Sequence, residues 1–267
     1  MHNAALGEMA LTDPAFASWR YHRFDVPPDN LPQALSLLHR KKFLGVNLTV
    51  PHKILAVDLI DRVDPSAQSV GAVNTLLWRP EGYAGFNTDG YGLAEGLHHD
   101  LQLKLGSMPI VLLGAGGAAR GAAIECLLRG SPSIAIGNRT LSRAEDLAGL
   151  LTSLKPGLTV RVFDPSNPPD NLPANALVIN ATSAGLKPTD PEPIDLGYLP
   201  GRPSVFDMIY NPPRTPLLQS AHARGLACTN GLSMLIHQGV RSLEIWSAST
   251  VPVEAMFRGA REGLNPC

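Results

Sequence analysis

Short apolar runs alternate along the chain with stretches in which apolar residues recur every three to four positions. The short runs predict strands and the periodic stretches predict helices, because side chains alternate faces in a strand and repeat about every 3.6 residues in a helix. The predicted strands cover residues 19–26, 45–50, 71–77, 82–86, 109–113, 133–137, 158–163, 177–180 and 205–208. The predicted helices cover residues 1–11, 31–42, 122–128, 231–247 and 253–263, and a further helix ends near residue 97.

This order of elements predicts an α/β protein with two domains. Strands and helices alternate from the first predicted strand onward, which favours parallel sheets, and Arg79-Pro80-Glu81-Gly82 predicts a hairpin turn. We expect a β/α domain over residues 1–100 and a doubly wound parallel-sheet domain over residues 101–235. We expect the helices of residues 236–267 to pack back on the first domain.

The composition and charge of the chain are those of a folded globular protein. Apolar residues make up 44% and charged residues 17% of its 267 residues, and its formal net charge is −1. This balance gives no basic surface for nucleic acid, and no apolar run reaches the roughly 20 residues of a membrane helix. Cys126, Cys228 and Cys267 are scattered, and residues 1–10 lack a signal-peptide pattern. We therefore expect a cytoplasmic protein, monomeric or homodimeric, with reduced thiols and a small-molecule substrate but no nucleic-acid or membrane partner.

A glycine-rich loop is the strongest single motif of the chain. An apolar run ends in Gly114-Ala115-Gly116-Gly117-Ala118, and a helical pattern follows at once. Glycines between a buried strand and a helix let the backbone turn tightly and approach a pyrophosphate, which the free N–H groups of the helix would bind. Glycine loops also form ordinary turns, but the flanking strand and helix favour a Rossmann-type dinucleotide site.

The end of the next predicted strand indicates which dinucleotide would bind. An NAD site usually has Asp or Glu about 20 residues after the glycines, where it binds the ribose hydroxyls. This chain instead has Asn138, Arg139 and Thr140, with Arg143 in the following helix. Two guanidinium groups suit a 2′-phosphate, whose charge a carboxylate would repel. We therefore predict NADP as the cofactor, although Thr140 is also compatible with a plain helix N-cap.

A lysine and an aspartate at two other element ends are candidate acid–base groups. Lys53 ends the segment Asn47-Leu-Thr-Val-Pro-His-Lys53, and Asp89 ends Phe86-Asn-Thr-Asp89. Open α/β sheets bind ligands at strand carboxyl ends, and an amine with a carboxylate can move the proton that accompanies hydride transfer to a ketone. Taken singly, a solvated lysine and a helix N-cap explain the same residues. The histidines lack metal-binding spacing and Ser183 lacks a Gly-x-Ser-x-Gly motif, so we predict no metal site and no serine hydrolase.

Eight short segments, spread over nearly the whole chain, carry these residues and others like them. They are Asn47–Lys53, Gly71–Thr75, Phe86–Asp89, Gly114–Ala118, Asn138–Thr140, Asn180–Gly185, Asp207–Pro212 and Gly231–Gln238. In this order the segments closely resemble those of the shikimate dehydrogenase family. The resemblance implies an oxidoreductase that reduces 3-dehydroshikimate to shikimate with NADPH, on the chorismate route to aromatic amino acids.

The resemblance also implies roles for single residues. The catalytic pair would be Lys53 and Asp89, which would handle the proton of the reacting oxygen as one coupled unit. The residues implied to bind substrate are Asn47, Thr49, Asn74, Tyr210 and Gln238. The residues implied to bind NADP are Gly114, Ala115, Gly116, Gly117, Ala118, Asn138, Arg139, Thr140, Arg143, Met208 and Gly231.

One feature departs from the family pattern. Members normally begin with a strand and a Ser-x-Ser-Pro segment that holds the substrate carboxylate, ahead of the helix that Met1-His2-Asn3 resembles. Without them, neighbouring backbone groups would be unpaired and substrate binding would be weaker. Three other interpretations stay open: a quinate or shared quinate/shikimate dehydrogenase, a non-catalytic NADP-binding sensor, and, last, a glutamyl-tRNA reductase-like domain.

Overall fold

The computed structural model of the chain describes residues 1–187 and 189–264. The chain divides into two compact units, the first formed by Met1–Gly92 with Ile236–Cys267 and the second by Leu93–Leu235. Cys267 lies outside the described residues. Both divisions fall inside helices, at residues 92/93 and 235/236.

The secondary structure follows the predicted order closely. The α-helices are α1 (His2–Thr12), α2 (Leu31–Arg40), α3 (His52–Leu55), α4 (Pro65–Val70), α5 (Asp89–Leu101), α6 (Gly117–Leu128), α7 (Leu141–Leu154), α8 (Pro216–Ala223), α9 (Leu232–Ser247) and α10 (Val253–Leu264). The strands are β1 (Gly45–Asn47), β2 (Arg62–Val63), β3 (Thr75–Arg79), β4 (Gly82–Phe86), β5 (Ile110–Leu113), β6 (Ser133–Gly137), β7 (Thr159–Phe163), β8 (Leu177–Asn180), β9 (Ser204–Asp207) and β10 (Cys228–Asn230). The helices predicted at both chain ends and most predicted strands are confirmed to within a few residues.

The first unit contains a four-stranded sheet in the order β1-β3-β4-β2. Strand β3 is antiparallel to both β1 and β4, and only β2 and β4 pair in parallel. The parallel sheet expected for this part of the chain is therefore wrong, whereas the hairpin predicted at Arg79-Pro80-Glu81-Gly82 is confirmed. The reason is local: β3 and β4 are joined by the two-residue turn at Pro80 and Glu81, and so tight a connection can only return the chain antiparallel. Leu31 and Leu35 of α2 pack on this sheet.

The prediction of a strand over residues 19–26 is also wrong. None of these residues pairs with a strand, and a side chain satisfies part of the backbone instead. The Asn3 amide donates to the Tyr21 carbonyl at 3.0 Å and accepts from the Tyr21 N–H at 2.8 Å. The Tyr21 ring stacks on buried His2, with the ring centroids 4.1 Å apart. The alternating pattern thus marks an extended segment that side chains hold in place.

The second unit is built on a six-stranded parallel sheet in the order β7-β6-β5-β8-β9-β10. The strand order reverses between β5 and β8, which confirms the predicted doubly wound sheet. The sequence pattern missed β10 because its three residues, Cys-Thr-Asn, contain no apolar run, and it also missed α8. No helix in the described ranges is long and apolar enough to cross a membrane.

The register of this sheet places several loops along one edge. Leu113 lies beside Gly137 on one side and Asn180 on the other, and Asn180 lies beside Asp207. These residues end β5, β6, β8 and β9. Since the strands are parallel, the loops that follow all begin at the carboxyl edge, where α/β sheets bind ligands.

Candidate active site

Lys53 and Asp89 form an ion pair in the first unit. Lys53 Nζ lies 2.7 Å from Asp89 Oδ2, and the side chains are 25% and 26% exposed. Strands β1 and β4 run in the same direction because each is antiparallel to β3, so α3 and α5 both begin near the same edge of the sheet. Asp89 is the first residue of α5, where the helix dipole favours a carboxylate. The pair is held within the fold and still open to a ligand.

Asn74 holds the second oxygen of Asp89. Its Nδ2 donates to Asp89 Oδ1 at 2.8 Å, and its Oδ1 accepts from the backbone N–H of Thr88 at 2.9 Å. Because a backbone N–H can only donate, the amide oxygen must face Thr88, and the amide nitrogen therefore faces the carboxylate. Asp89 thus receives a cation on one oxygen and an N–H on the other.

Four of the five predicted substrate residues lie in this unit. The Nδ2 of Asn74 is 3.2 Å from Oε1 of Gln238 on α9, and the Nδ2 of Asn47 donates to the Asn74 carbonyl at 3.0 Å. Thr49 is exposed one turn before Lys53, and its carbonyl accepts from the Lys53 N–H at 3.3 Å. The sequence segments that carry these residues are therefore brought to one place, next to the ion pair.

A cluster of buried hydroxyls joins these residues and was not predicted from the sequence. Thr75 and Ser242 are 0% exposed and Thr88 is 1% exposed. Thr75 lies next to Asn74 in the segment Gly71–Thr75, and Thr88 lies next to Asp89 in the segment Phe86–Asp89. Ser242 lies four positions after Gln238, on the same face of α9, and that helical spacing is the only signal that could have indicated it.

The arrangement suits proton transfer beside a hydroxyl or a ketone. An ammonium group donates hydrogen bonds and a carboxylate accepts protons, and both groups are partly exposed at this position. A ligand oxygen that reaches Lys53 Nζ can exchange a proton with the pair. Asn74 limits rotation of the Asp89 carboxylate, so the geometry is set before a ligand arrives.

The glycine loop of the second unit has an open, outward-facing backbone. Gly114 has a φ of +108°, which favours glycine, and a Cβ there would lie 3.1 Å from the carbonyl oxygen of Ala181. Gly116 is the N-cap of α6, and a Cβ there would have no atom within 4 Å. The partly or fully exposed residues of the loop are Ala115, Gly116, Gly117 and Ala118. The first N–H groups of α6 are therefore accessible to a phosphate.

Two exposed cations follow β6, one in the loop and one in the first turn of α7. Arg139 and Arg143 are exposed, and across residues 1–187 and 189–264 neither takes part in an ion pair. Asn138 Nδ2 donates to the Thr140 carbonyl at 2.7 Å, and Thr140 is the N-cap of α7 without a side-chain capping bond. Guanidinium groups and a hydroxyl are thus available to an anionic ligand.

The loop after β9 brings together the other predicted residues of this unit. The Met208 N–H donates to the Asn180 carbonyl at 3.0 Å. A Cβ on Gly231 would overlap the Met208 carbonyl, so these two backbones are in close contact and only glycine fits. Tyr210 follows in the same loop and is exposed.

Asp207 fixes the start of this loop. It is 0% exposed and accepts hydrogen bonds from Thr215 Oγ1 at 2.6 Å, the Ile209 N–H at 3.0 Å and Asn180 Nδ2 at 3.0 Å. Burial raises the pKa of this carboxyl, while the three donors oppose the shift. The loops after β8 and β9 are thereby tied to one buried side chain.

Known proteins are similar to this chain in both sequence and fold. The family model described as the shikimate dehydrogenase substrate binding domain matches residues 1–76, and the shikimate 5′-dehydrogenase C-terminal domain matches residues 231–256. A shikimate dehydrogenase (NADP(+)) from Symbiobacterium thermophilum is 38% identical, over 99% of this chain and 89% of the relative.

Solved structures agree with this relationship. A crystal structure of a shikimate dehydrogenase in complex with NADP+ has a TM-score of 0.87 and 33% identity, over 99% of this chain and 90% of its own. A ligand-free 5-ketofructose reductase of Gluconobacter sp. strain CHM43 has a TM-score of 0.83 and 33% identity, over 97% of this chain and 93% of its own. The chain belongs to the shikimate dehydrogenase family.

Proposed function

We propose that this chain catalyses the reversible interconversion of 3-dehydroshikimate and shikimate, with NADP as the hydride carrier. The Lys53–Asp89 ion pair carries the proposal, since it is a partly exposed acid–base pair held in a fixed geometry. Family membership supports the same oxidoreductase chemistry, as does the relative named a shikimate dehydrogenase (NADP(+)).

The proposed reaction needs one proton acceptor in the oxidative direction. The hydride leaves the carbon that bears the reacting hydroxyl, and the nicotinamide supplies the chemistry that accepts it. Lys53 Nζ holds the hydroxyl oxygen, and the pair with Asp89 takes up its proton as the ketone forms. The products are 3-dehydroshikimate, NADPH and one proton, and the reduction reverses each step.

The second unit has backbone N–H groups and guanidinium groups of the kind that bind NADP, which supports the proposal. We assign the pyrophosphate to the loop Gly114–Ala118, because its backbone is open at Gly116 and leads into the N-terminus of α6. We assign the 2′-phosphate to Arg139 and Arg143, with Asn138 and Thr140 beside them.

The remaining contacts complete the proposal. We assign the nicotinamide to the adjacent backbones of Met208 and Gly231. We assign the substrate's hydroxyls and carboxylate to hydrogen-bonding side chains, namely Asn47, Thr49, Asn74, Gln238 and Tyr210. The first unit is thus the proposed substrate domain and the second the NADP domain, in a cytoplasmic monomer or homodimer.

Three other interpretations predict different assay results. A quinate dehydrogenase would prefer quinate, and the fold shared with a 5-ketofructose reductase makes 5-ketofructose a third substrate to compare. A non-catalytic sensor would bind NADPH without turning over any of these compounds. The intact Lys53–Asp89 pair favours an enzyme over a sensor.

The test is a comparison of kcat/KM for the full chain. Shikimate and quinate are each assayed with NADP⁺, and 3-dehydroshikimate and 5-ketofructose with NADPH. We expect the shikimate/3-dehydroshikimate couple to give the highest kcat/KM. Turnover of another couple at a higher kcat/KM would contradict the proposed substrate, and normal NADPH binding without any turnover would favour the sensor.

A further inference from the structure

We propose that Ser242 is a positioning residue of the substrate site, which holds Asn47 and the Gln238 turn of α9 in the geometry that substrate binding requires. This inference rests on the proposed function, because Asn47 and Gln238 are proposed substrate contacts. Ser242 lies outside the eight motif segments identified in the sequence.

Ser242 uses its whole hydrogen-bonding capacity inside the protein. Its Oγ donates to the Gln238 carbonyl at 2.9 Å, accepts from Asn47 Nδ2 at 3.0 Å and lies 2.7 Å from Thr75 Oγ1. Thr88 Oγ1 also lies 3.3 Å away, so four polar partners surround a hydroxyl that has one proton and two lone pairs. Because the side chain is 0% exposed, water cannot replace a partner that is lost.

The contacts of Ser242 lead to the ion pair. Thr75 Oγ1 is 2.9 Å from Asn74 Oδ1, and Asn74 Nδ2 donates to Asp89 Oδ1 at 2.8 Å. Asn47 Nδ2 lies within hydrogen-bond distance of the Asn74 carbonyl, Thr75 Oγ1 and Ser242 Oγ, which share its two N–H donors. Ser242 therefore joins α9 to the ends of β1 and β3, the elements that carry the proposed substrate contacts.

The same helix offers a matched control. Ser247 Oγ donates to the Leu243 carbonyl at 2.7 Å, which is the same type of bond within the helix. Its other bonds go to Ser249, just after the helix, and not to a proposed substrate residue. A variant at Ser247 reports what loss of a helical serine bond does by itself.

Loss of the Ser242 hydroxyl should weaken substrate binding more than chemistry. Asn47 and the Gln238 turn would lose a fixed partner, and the contacts that they make exist in both the ground state and the transition state. Removal of such uniform binding raises KM and leaves kcat nearly unchanged. A role in stability alone would lower the Tm and leave KM where it was.

The experiment measures steady-state kinetics with shikimate and NADP⁺ for the wild type, Ser242→Ala and Ser247→Ala. We expect Ser242→Ala to raise the KM for shikimate about tenfold, with kcat within about twofold and the KM for NADP⁺ unchanged. We expect Ser247→Ala to change the KM for shikimate by less than about twofold.

An unchanged KM for shikimate in Ser242→Ala, or an equal rise in both variants, would overturn the proposal. Should Ser242→Ala not fold, Ser242→Cys keeps the volume but bonds weakly, and the same rise in KM is expected of it. Failure of the proposed function is seen separately, because the wild type would then form no NADPH from shikimate.

Discussion

In the first unit, the polar side chains around Lys53 and Asp89 bond to one another, whereas in the second unit the groups that would meet a nucleotide face outward. Both the nitrogen and the oxygen of the Asn74 side-chain amide are hydrogen-bonded to protein groups. Arg139 and Arg143 are exposed and, within the described residues, have no carboxylate partner. Proton transfer requires catalytic groups whose geometry is fixed before the ligand binds. Phosphate binding relies instead on accessible positive charge and free backbone N–H groups.

We expect the largest difference between the two units for a substitution at Lys53, which should affect catalysis and not NADPH binding. The substitution Lys53→Met removes the ammonium but keeps the bulk of the side chain, so we expect kcat to fall by about 10²–10⁴-fold. The affinity for NADPH should stay within about twofold, since its proposed contacts lie in the other unit. Steady-state assays and NADPH titration by fluorescence measure the two quantities.

The control for this prediction is Lys41→Met, at an exposed lysine just after α2. It should leave kcat unchanged. A Lys53→Met variant with more than a third of the wild-type kcat would show that the ion pair takes no part in the reaction.

We expect the stability of the first unit to depend on pH because His2 is buried in it. This side chain is 4% exposed, and burial, helped by the charge of the chain's amino group, lowers the pKa of His2 from 6.5 to about 4. The unfolded chain takes up a proton below about pH 6.5 and the folded chain resists it, so stability is full above that pH and falls towards pH 4.

The loss amounts to about 3 kcal/mol of unfolding free energy. Urea unfolding measured from pH 7 to pH 4 should show a weaker pH dependence in His2→Phe than in the wild type. The exposed His22 supplies the control, because His22→Phe should follow the wild type. An identical pH dependence in His2→Phe would contradict the prediction.

We propose that the outward-facing cations of the second unit, Arg139 and Arg143, set the preference for NADP over NAD. In the double variant Arg139→Ala and Arg143→Ala, we expect the KM for NADP⁺ to rise about 30-fold, because charged hydrogen bonds to the 2′-phosphate are lost. The KM for NAD⁺ should change little, since NAD⁺ has no such phosphate. An equal rise for both cofactors would indicate a general loss of nucleotide binding.

The smallest effect is expected at an ion pair whose two side chains are both largely exposed to solvent. Arg224 and Asp195 lie 3.0 Å apart, with side chains 46% and 61% exposed. Since solvent and salt screen such a pair, Arg224→Ala should change the unfolding free energy by less than about 1 kcal/mol. Urea unfolding checks this, and a loss above about 2 kcal/mol would mean that surface pairs stabilise this protein more than is usual.

The sequence predicted best the features that are local. The strand, glycine turn and helix around Gly114 are contiguous, and the apolar runs of β5 and β8 are buried on both faces, as parallel strands are. The sequence motifs also indicated Lys53 and Asp89 as a pair, although the two residues are 36 positions apart. Both residues follow strands that end at the same edge of the sheet.

Features that depend on distant partners were missed. The segment 19–26 alternates like a strand, but Asn3 and not a strand bonds to its Tyr21 backbone. Ser242 resembles any helical serine until Asn47, 195 positions away, is placed beside it. A one-dimensional pattern reports which face of an element is apolar, but it does not report which chain segment will cover that face.

The most direct test of the account is a crystal structure of the full chain with shikimate and NADP⁺ bound. We predict that the reacting ring hydroxyl lies within hydrogen-bond distance of Lys53 Nζ, with Asp89 still paired to Lys53 and the 2′-phosphate between Arg139 and Arg143. A substrate ring bound away from Lys53, or a 2′-phosphate far from both arginines, would contradict the account.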